Sequence, residues 1–579
     1  MKIKSRTYLH YAPVPGGVYF SGPTSQFVMR GPELLFTIAD LCVPLLEEGT
    51  TEDDLVRALG TEKARPAVRK VVDGLLSHDM LLDTAGFTVA ETGIAERDRF
   101  PEALAHLEAF TDDPYAAFAA LRTAHVVLYG PAAVVSPAAR GLARAGAGHL
   151  ALATPDGDLD PVRAVGERLG ARLLSDQEEL KEALAEADAV LWCPGEDGEP
   201  APRVSLRPAG WLVPVSLGEA TVVGPVLDAT AASGQWPASA ERALSWAHRH
   251  SGGPVARPGA DRLAGALAGQ LLFDALTNCA ASAEAHVVHG DDLAADRVTV
   301  PGAQSSAGPA TWCSLDSVAQ QPAPDEEEAL ERIYQVTAPW TGLFQLVTDD
   351  ALPQMPLALR QIEYRLGRTG SVVGWGAGQR AATVAVVLDA LRALRADEGV
   401  GAAGFTPQQW LLDGALRLLV ERARTGGAVN RAELPADDRM VLRLLTDESA
   451  QLVVLLDLEV AGLDWRLARV EGEHGKVLGV GWGRDQAEAR HAALGTALAH
   501  EQARRLLPDV GIAHVNTAAL LVASAAELAA LSADVVGQGT AEGIGYLGLA
   551  HRSDPVLGDL PYWSGTVEAR RRDPEDGNA

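Results

Sequence analysis

The chain has 579 residues, 47% of them hydrophobic and 22% charged, and this length predicts roughly three or four globular units instead of a single core. Its 77 acidic and 49 basic side chains give a net charge of −28, which argues against nucleic acids and anionic membranes as partners. No apolar run has the length of a signal-peptide core or reaches the roughly 18 residues that span a bilayer, so we expect a cytoplasmic protein.

The first predicted strands lie between Gly17 and Arg30. Two short β-prone runs in this stretch are separated by Gly-Pro-Thr, which has the chemistry of a turn. The sequence therefore predicts a β-hairpin near the amino terminus.

Three helices are predicted after the hairpin. The first begins near Gly31-Pro32, where proline favours a helix start, and Pro44 is expected to kink or end it. A capping box of Thr51 and Asp54 predicts a short second helix. The third is predicted from about Arg65 to Ser77, because valines and leucines form one apolar stripe there.

The stretch GGVYF...SQFVMRGPELLFTIADLCVPLLEEGTTEDDLVRAL contains the predicted hairpin and the first two helices. It resembles the RiPP recognition element, the PqqD-like winged-helix domain that binds leader peptides of ribosomally synthesised and post-translationally modified peptides. The resemblance covers residues 1–84. It implies that a leader peptide adds as an extra strand to the last strand of the sheet and packs against the third helix, which is a form of β-augmentation.

The resemblance places the peptide-binding residues on that strand and helix. They are Gln26, Phe27, Val28, Met29 and Arg30 on the strand, and Arg65, Val68, Arg69 and Val72 on the helix. Phe27 and Met29 share one face of the strand, and the sequence does not fix which face meets the peptide. Two alternatives stay open: a DNA-binding winged helix, disfavoured by nine basic against eleven acidic residues in 1–83, and a structural hairpin with Phe27 and Met29 in the core.

A helical connector is predicted over residues 85–121, followed by a βαβ unit from His125 to Ala153. Of the glycines that cradle phosphates in a GxGxxG loop, only Gly130 is present. Further strands are predicted at Ala189–Trp192, Trp211–Ser216 and Thr221–Val226, the last ending in a Val-Gly-Pro-Val turn. In this order of elements, residues 122–322 resemble the E1/ThiF-like domain of the ocin-ThiF family. The loop after Gly130 lacks the glycines that an adenylating enzyme needs to hold ATP phosphates. Residues 231–236 lack the zinc cysteines of related E1-like proteins. We therefore interpret this domain as a scaffold derived from an enzyme fold.

A Pro/Ala/Gln-rich linker leads into the last predicted domain, residues 323–579. Two units, Val373-Gly374-Trp375-Gly376 and Val480-Gly481-Trp482-Gly483, each precede an alanine-rich helix, which is similar to segments of the YcaO fold. YcaO enzymes hold Mg-ATP with several carboxylates on these helices, whereas this chain offers Asp389, Glu488 and Glu501. The alternatives are a degenerate YcaO-like module and an α+β interaction domain.

The four cysteines lie far apart and form no metal-ligand spacing, so we expect buried free thiols, no disulfide framework and no metal site. Because the phosphate-loop glycines and the set of magnesium-binding carboxylates are missing, we expect no cofactor. The predicted fold class is a multidomain α/β and α+β protein. The predicted function is a non-catalytic subunit that binds a precursor peptide and presents it to a YcaO azoline-forming cyclodehydratase, in thiopeptide or related azole biosynthesis. The alternative is an ATP-dependent E1-like or YcaO-like enzyme. A homodimer is compatible with the sequence, which does not determine the oligomeric state.

Overall fold

The computed structural model describes residues 2–90, 93–155, 158–194, 210–228, 236–279, 283–304, 310–347, 352, 354–366, 368–396, 398–449, 452–507 and 511–571. The chain forms two compact units, residues 1–304 and 305–579. Both contain helices and strands, in agreement with the predicted mixed α/β multidomain class. Most of the segment 231–236, where related proteins have zinc cysteines, lies outside the described residues.

The amino-terminal part of the first unit combines two small sheets with three helices. Its elements are β1 (Lys2–Ser5), β2 (His10–Val14), β3 (Gly17–Ser21), β4 (Gln26–Arg30), α1 (Leu34–Glu48), β5 (Thr50–Thr51), α2 (Glu52–Ala58), α3 (Arg65–Ser77) and β6 (Leu81–Asp83). One sheet has the order β5-β1-β6 and the other β2-β3-β4. The predicted hairpin is β3-β4, and the predicted third helix is α3, so both predictions are confirmed.

Helix α1 does not end at Pro44, although proline cannot donate the backbone hydrogen bond of that turn. The ring itself is exposed, while Cys42, Val43 and Leu46 around it are buried in the core. Core packing on both sides of the proline therefore carries the helix to Glu48. The predicted start of α2 is confirmed, because the Thr51 side chain accepts a hydrogen bond from the Asp54 N–H at 3.2 Å.

The rest of the first unit is a helical connector followed by a large sheet. The connector holds α4 (Ile94–Arg99), α5 (Pro101–Phe110) and α6 (Pro114–Thr123). The elements that follow are β7 (His125–Tyr129), α7 (Ala132–Ala145), β8 (His149–Ala153), α8 (Asp160–Leu169), β9 (Arg172–Leu173), α9 (Gln177–Glu186), β10 (Ala189–Trp192), β11 (Trp211–Leu217), β12 (Thr221–Val223), β13 (Leu227–Asp228), α10 (Trp236–Ser245), α11 (Ala247–His250), α12 (Gly259–Thr277), β14 (Glu284–His289) and β15 (Ala294–Thr299).

This sheet has the order β15-β14-β12-β11-β10-β7-β8-β9 and is parallel from β11 to β9. Helix α12 crosses the start of α7 so closely that a Cβ on Gly265 would lie 2.0 Å from the Val134 carbonyl oxygen. Val134 and Val135 are fully buried in the core. The two valines that replace glycines of a phosphate loop therefore serve the packing of α7.

The second unit contains three main sheets and a set of helices packed against them. Its elements are β16 (Thr311–Ser314), α13 (Glu326–Val336), β17 (Phe344–Leu346), β18 (Ala358–Leu366), β19 (Arg368–Gly376), α14 (Gln379–Ala393), β20 (Val400–Gly404), α15 (Pro407–Val420), β21 (Arg424–Ala428), α16 (Ala436–Ser449), β22 (Val454–Glu459), β23 (Arg466–Glu471), β24 (Val477–Gly483), α17 (Gln486–Leu506), β25 (Gly511–Ile512), β26 (Val515–Asn516), α18 (Ala519–Val522), α19 (Ala525–Ala541), β27 (Ile544–Ala550), β28 (Ser553–Asp554), β29 (Gly558–Asp559) and β30 (Trp563–Arg571). The sheet orders are β16-β27-β30-β20, β17-β18-β19-β25 and β21-β22-β23-β24-β26.

Strand β16 pairs with β27 of this second unit, although its residues fall in the range predicted for the central domain. Backbone pairing with a strand more than two hundred residues later is a tertiary property that local patterns do not report. The finer division of the chain into four segments stays a prediction.

The two Val-Gly-Trp-Gly units occupy equivalent places in the second unit. Each forms the end of a strand, β19 or β24, and precedes a helix, α14 or α17. A Cβ on Gly374 would lie 2.5 Å from the Val386 amide nitrogen, and one on Gly481 would lie 2.4 Å from that of Ala493. The glycines therefore allow a helix to lie directly on its strand.

All four thiols are free, with Cys42 and Cys193 buried and Cys279 and Cys313 half-buried. Burial raises the pKa of Cys42 to about 11, which keeps that thiol protonated. In the part of the chain that the structure describes, no helix is long and apolar enough to cross a membrane.

Candidate functional site

Strand β4 lies at the edge of its sheet. The hydrogen bonds at the two ends of the hairpin determine which of its backbone groups face β3. The Gly22 N–H donates to the Ser25 carbonyl, and the Gly31 N–H donates to the Gly16 carbonyl, both at 2.9 Å. Residues along an antiparallel pair alternate between bonded and non-bonded positions. The N–H and C=O groups of Gln26, Val28 and Arg30 consequently point away from β3, and β4 has no second strand partner among the described residues.

The side chains of β4 divide between the core and the solvent. Met29 is buried, and the Phe27 ring stacks on Phe20 and His78, with centroid distances of 5.3 and 3.8 Å. On the other face, the Val28 side chain is 48% exposed. The face that Phe27 and Met29 share therefore packs inside this unit, as the structural alternative for these two side chains expected.

Helix α3 lies against the inner face of β4. A Cβ on Gly74 would come within 2.3 Å of the Met29 Cε, so this glycine permits the close approach. Val68 and Val72, two of the predicted helix contacts, are buried in the core, with 0% and 4% of their surface exposed. They lie on the apolar face of α3, as the predicted stripe requires. That face packs against the core of this part of the unit and not against a bound peptide.

The two predicted arginines of α3 are already engaged in ion pairs. Arg65 contacts Asp53 at 2.8 Å and also bonds Glu62, and Arg69 contacts Glu52 at 3.0 Å. The carboxylate of Glu62 and then that of Asp53 raise the pKa of Arg65. These are exposed pairs, which contribute little to folding and remain able to exchange partners with a peptide.

Sequence reasoning missed Lys70, which links α3 to the open edge. Its Nζ donates to the Arg30 carbonyl oxygen at 2.7 Å, so it covers one of the outward-facing acceptors of β4. The sequence shows Lys70 as a basic residue of the predicted third helix, but its contact with Arg30, 40 positions earlier, follows only from the packing of α3 beside β4.

A surface cleft of about 630 Å³ runs along this face of α3. Its lining residues are Glu62, Arg65, Pro66, Arg69, Lys70 and Asp73. Three basic and two acidic side chains line the cleft, and Asp53 and Glu52 pair with the two arginines from outside the lining. The arrangement offers a strand backbone three pairs of hydrogen-bonding groups and its side chains a charged wall of mixed sign.

The carboxylates considered for an ATP site are each held by an arginine. Asp389 contacts Arg392 at 2.6 Å, and Glu501 contacts Arg504 at 2.9 Å. Glu488 accepts from Arg484 at 3.0 Å. Within the described ranges, no group of three or more His, Cys, Asp or Glu side chains is placed to hold a metal ion.

No protein-family model matches the chain, and no curated protein matches it. Comparison with solved structures finds similar chains. A heterocyclase in complex with substrate and cofactor is similar over 99% of this chain and 95% of its own, with 14% identity and a TM-score of 0.49. E. coli MccB bound to ATP is similar over 52% of this chain and 97% of its own, with 11% identity and a TM-score of 0.37. MccB with succinimide gives the same coverage and TM-score at 10% identity. At these TM-scores the similarity assigns the chain to no family.

Proposed function

We propose that this chain is a non-catalytic subunit that binds the leader segment of a ribosomally made precursor peptide and presents the peptide to a separate YcaO-type azoline-forming cyclodehydratase. The observation that carries the proposal is the open edge of β4. Its outward N–H and C=O groups at Gln26 and Val28 are available to a guest strand beside α3, and the Arg30 carbonyl becomes available once Lys70 is displaced.

The expected complex is an added strand on the β2-β3-β4 sheet. Each backbone hydrogen bond contributes about 0.5–1.5 kcal/mol net, so several bonds along three outward-facing residues suit a reversible carrier. The guest strand displaces the Lys70 ammonium from the Arg30 carbonyl, which frees a cation for the peptide. Holding the leader raises the effective concentration of the core peptide at the partner enzyme without a new chemical step.

Val28→Pro tests this docking edge, since it removes an outward N–H and leaves the β3-β4 hydrogen bonds in place. We expect about a tenfold weaker affinity for a fluorescently labelled leader, measured by polarisation, which corresponds to about 1.4 kcal/mol. Val28→Ala, which keeps the N–H and shortens the same side chain, is the control. Unchanged affinity in a folded Val28→Pro protein would rule out this edge.

The non-catalytic part of the proposal has its own test. We expect the purified chain, supplied with precursor peptide, ATP and magnesium, to form no azoline until a cyclodehydratase is added. Mass spectrometry detects each ring as a loss of one water from the core peptide. Ring formation by the chain alone would support the ATP-dependent enzyme instead.

A further inference from the structure

A second, larger cleft lies in the second unit and has no part in the proposed leader site. It encloses about 640 Å³ where the two Val-Gly-Trp-Gly repeats meet α18. Trp375, Phe405 and Trp482 supply aromatic walls, and Val522 lies at its margin with 67% of the side chain exposed. A volume of this size is typical of ligand sites.

The two repeat tryptophans differ in one respect. The Trp375 Nε1–H donates to the Thr496 hydroxyl at 3.1 Å. Trp482 is fully buried, lines the cleft, and its Nε1–H has no acceptor among the described residues. A buried donor without a partner carries an uncompensated desolvation cost, but less than 1 Å² of this nitrogen is accessible, so it belongs to the core behind the cleft and does not contact a bound molecule.

The charge of the cleft restricts what it can hold. Its charged lining consists of Asp325, Glu326 and Glu488, and no lysine or arginine belongs to the described lining. Arg484 is bonded to Glu488, and Arg380 lies 3.9 Å from Glu326, so part of this acidity is compensated from outside. Asp325 caps α13, where three glutamates follow it in the first turn. Phosphate groups are disfavoured here, and cationic groups are favoured.

We propose that this cleft binds a short peptide segment of a partner protein, with an aromatic or aliphatic anchor next to a lysine or arginine. The anchor packs between Trp375 and Phe405, and the cation faces Glu326. Apolar walls and acidic margins together fit this chemistry. The site does not depend on leader binding at β4.

The test uses the full chain and two probe peptides that differ in one residue, acetyl-Phe-Lys-Leu-amide and acetyl-Phe-Glu-Leu-amide. We expect saturation-transfer NMR to detect the lysine peptide, with a Kd at least about fivefold lower than that of the glutamate peptide. Added salt should narrow this difference, because it screens the acidic margin.

Val522→Arg places a cation at the margin of the cleft and should reverse the preference between the two peptides. The matched control is Leu452→Arg, since Leu452 is 68% exposed in the same unit and does not line the cleft.

Three results would overturn this assignment: no binding of either peptide, equal binding of both, or an unaltered preference in a folded Val522→Arg protein. Binding of Mg-ATP that Val522→Arg strengthens would also overturn it, because the cleft would then hold an anion. Leader affinity measured on the same proteins reports the β4 site separately, so either site can fail alone.

Discussion

Asp413 is the centre of a buried ion cluster in the second unit. Its carboxylate accepts from Arg392 at 2.8 Å, Arg417 at 3.0 Å, Thr517 at 2.5 Å and the Ala403 N–H at 2.9 Å. Burial opposes its ionisation, but the two guanidinium groups outweigh burial and hold the pKa of Asp413 at about 2. Asp413 therefore stabilises the fold above its unfolded pKa near 4, and this contribution is lost as the pH falls toward 2.

Removing this charge leaves two guanidinium groups with too few partners. We expect Asp413→Asn to lower the free energy of unfolding by about 3–5 kcal/mol. Urea denaturation, with hydrogen exchange of α15 peptides as the local readout, measures the loss. Asp437→Asn, at an exposed position in the first turn of α16, is the control and should change stability by less than about 0.5 kcal/mol. A loss no greater than that of the control would show that the cluster is dispensable.

His500 predicts a second loss of stability on acidification, at higher pH than that of Asp413. Burial, and then the neighbouring ring of His514, lower its pKa to about 4, with Lys476 and Arg504 acting in the same direction and Glu501 against it. An unfolded histidine has a pKa near 6.5. The folded state thus binds fewer protons, and stability is lost as the pH falls from about 6.5 to 4.

We expect His500→Leu to flatten this part of the stability curve. Thermal unfolding at pH 7 and pH 5 measures it, and the variant should lose less Tm between the two values than the parent chain. His248→Leu, at an exposed histidine of the first unit, is the control and should leave the slope unchanged. A parent chain with equal Tm at both pH values would contradict the expectation.

At the scale of elements, the contacts of α14 with β19 and of α17 with β24 depend on glycines, which have no side chain. Gly481→Ala would place a Cβ 2.4 Å from the Ala493 amide nitrogen, a backbone atom that cannot rotate away. We expect strand and helix to separate, at a cost of about 1–3 kcal/mol. Gly378→Ala is the control, because a Cβ there meets nothing within 4 Å. Urea denaturation distinguishes the two, and equal stabilities would show that the contact adapts freely.

At the scale of the whole molecule, every residue of the proposed leader site lies in the first unit. We expect a fragment of residues 1–304 to bind the labelled leader within about threefold of the full chain, since no contact of β4 or α3 described above involves residues beyond 304. Polarisation titrations measure this, and circular dichroism shows whether the fragment is folded. A folded fragment that does not bind would place part of the site elsewhere.

Local patterns in the sequence determined much of this protein. The β3-β4 hairpin, the cap of α2 at Thr51, the bounds of α3 and the strands β7 and β8 follow from turn residues, capping chemistry and apolar periodicity, which act within a few residues. The edge strand from Gln26 to Arg30 was predictable for the same reason.

Tertiary structure decided what those patterns leave open. Which face of β4 turns inward, the burial of Val68 and Val72, the contact of Lys70 with the Arg30 carbonyl and the continuation of α1 through Pro44 all depend on distant neighbours. The ion cluster around Asp413 joins residues up to 125 positions apart. Periodicity reports which residues share a face, but only packing between elements determines what that face meets.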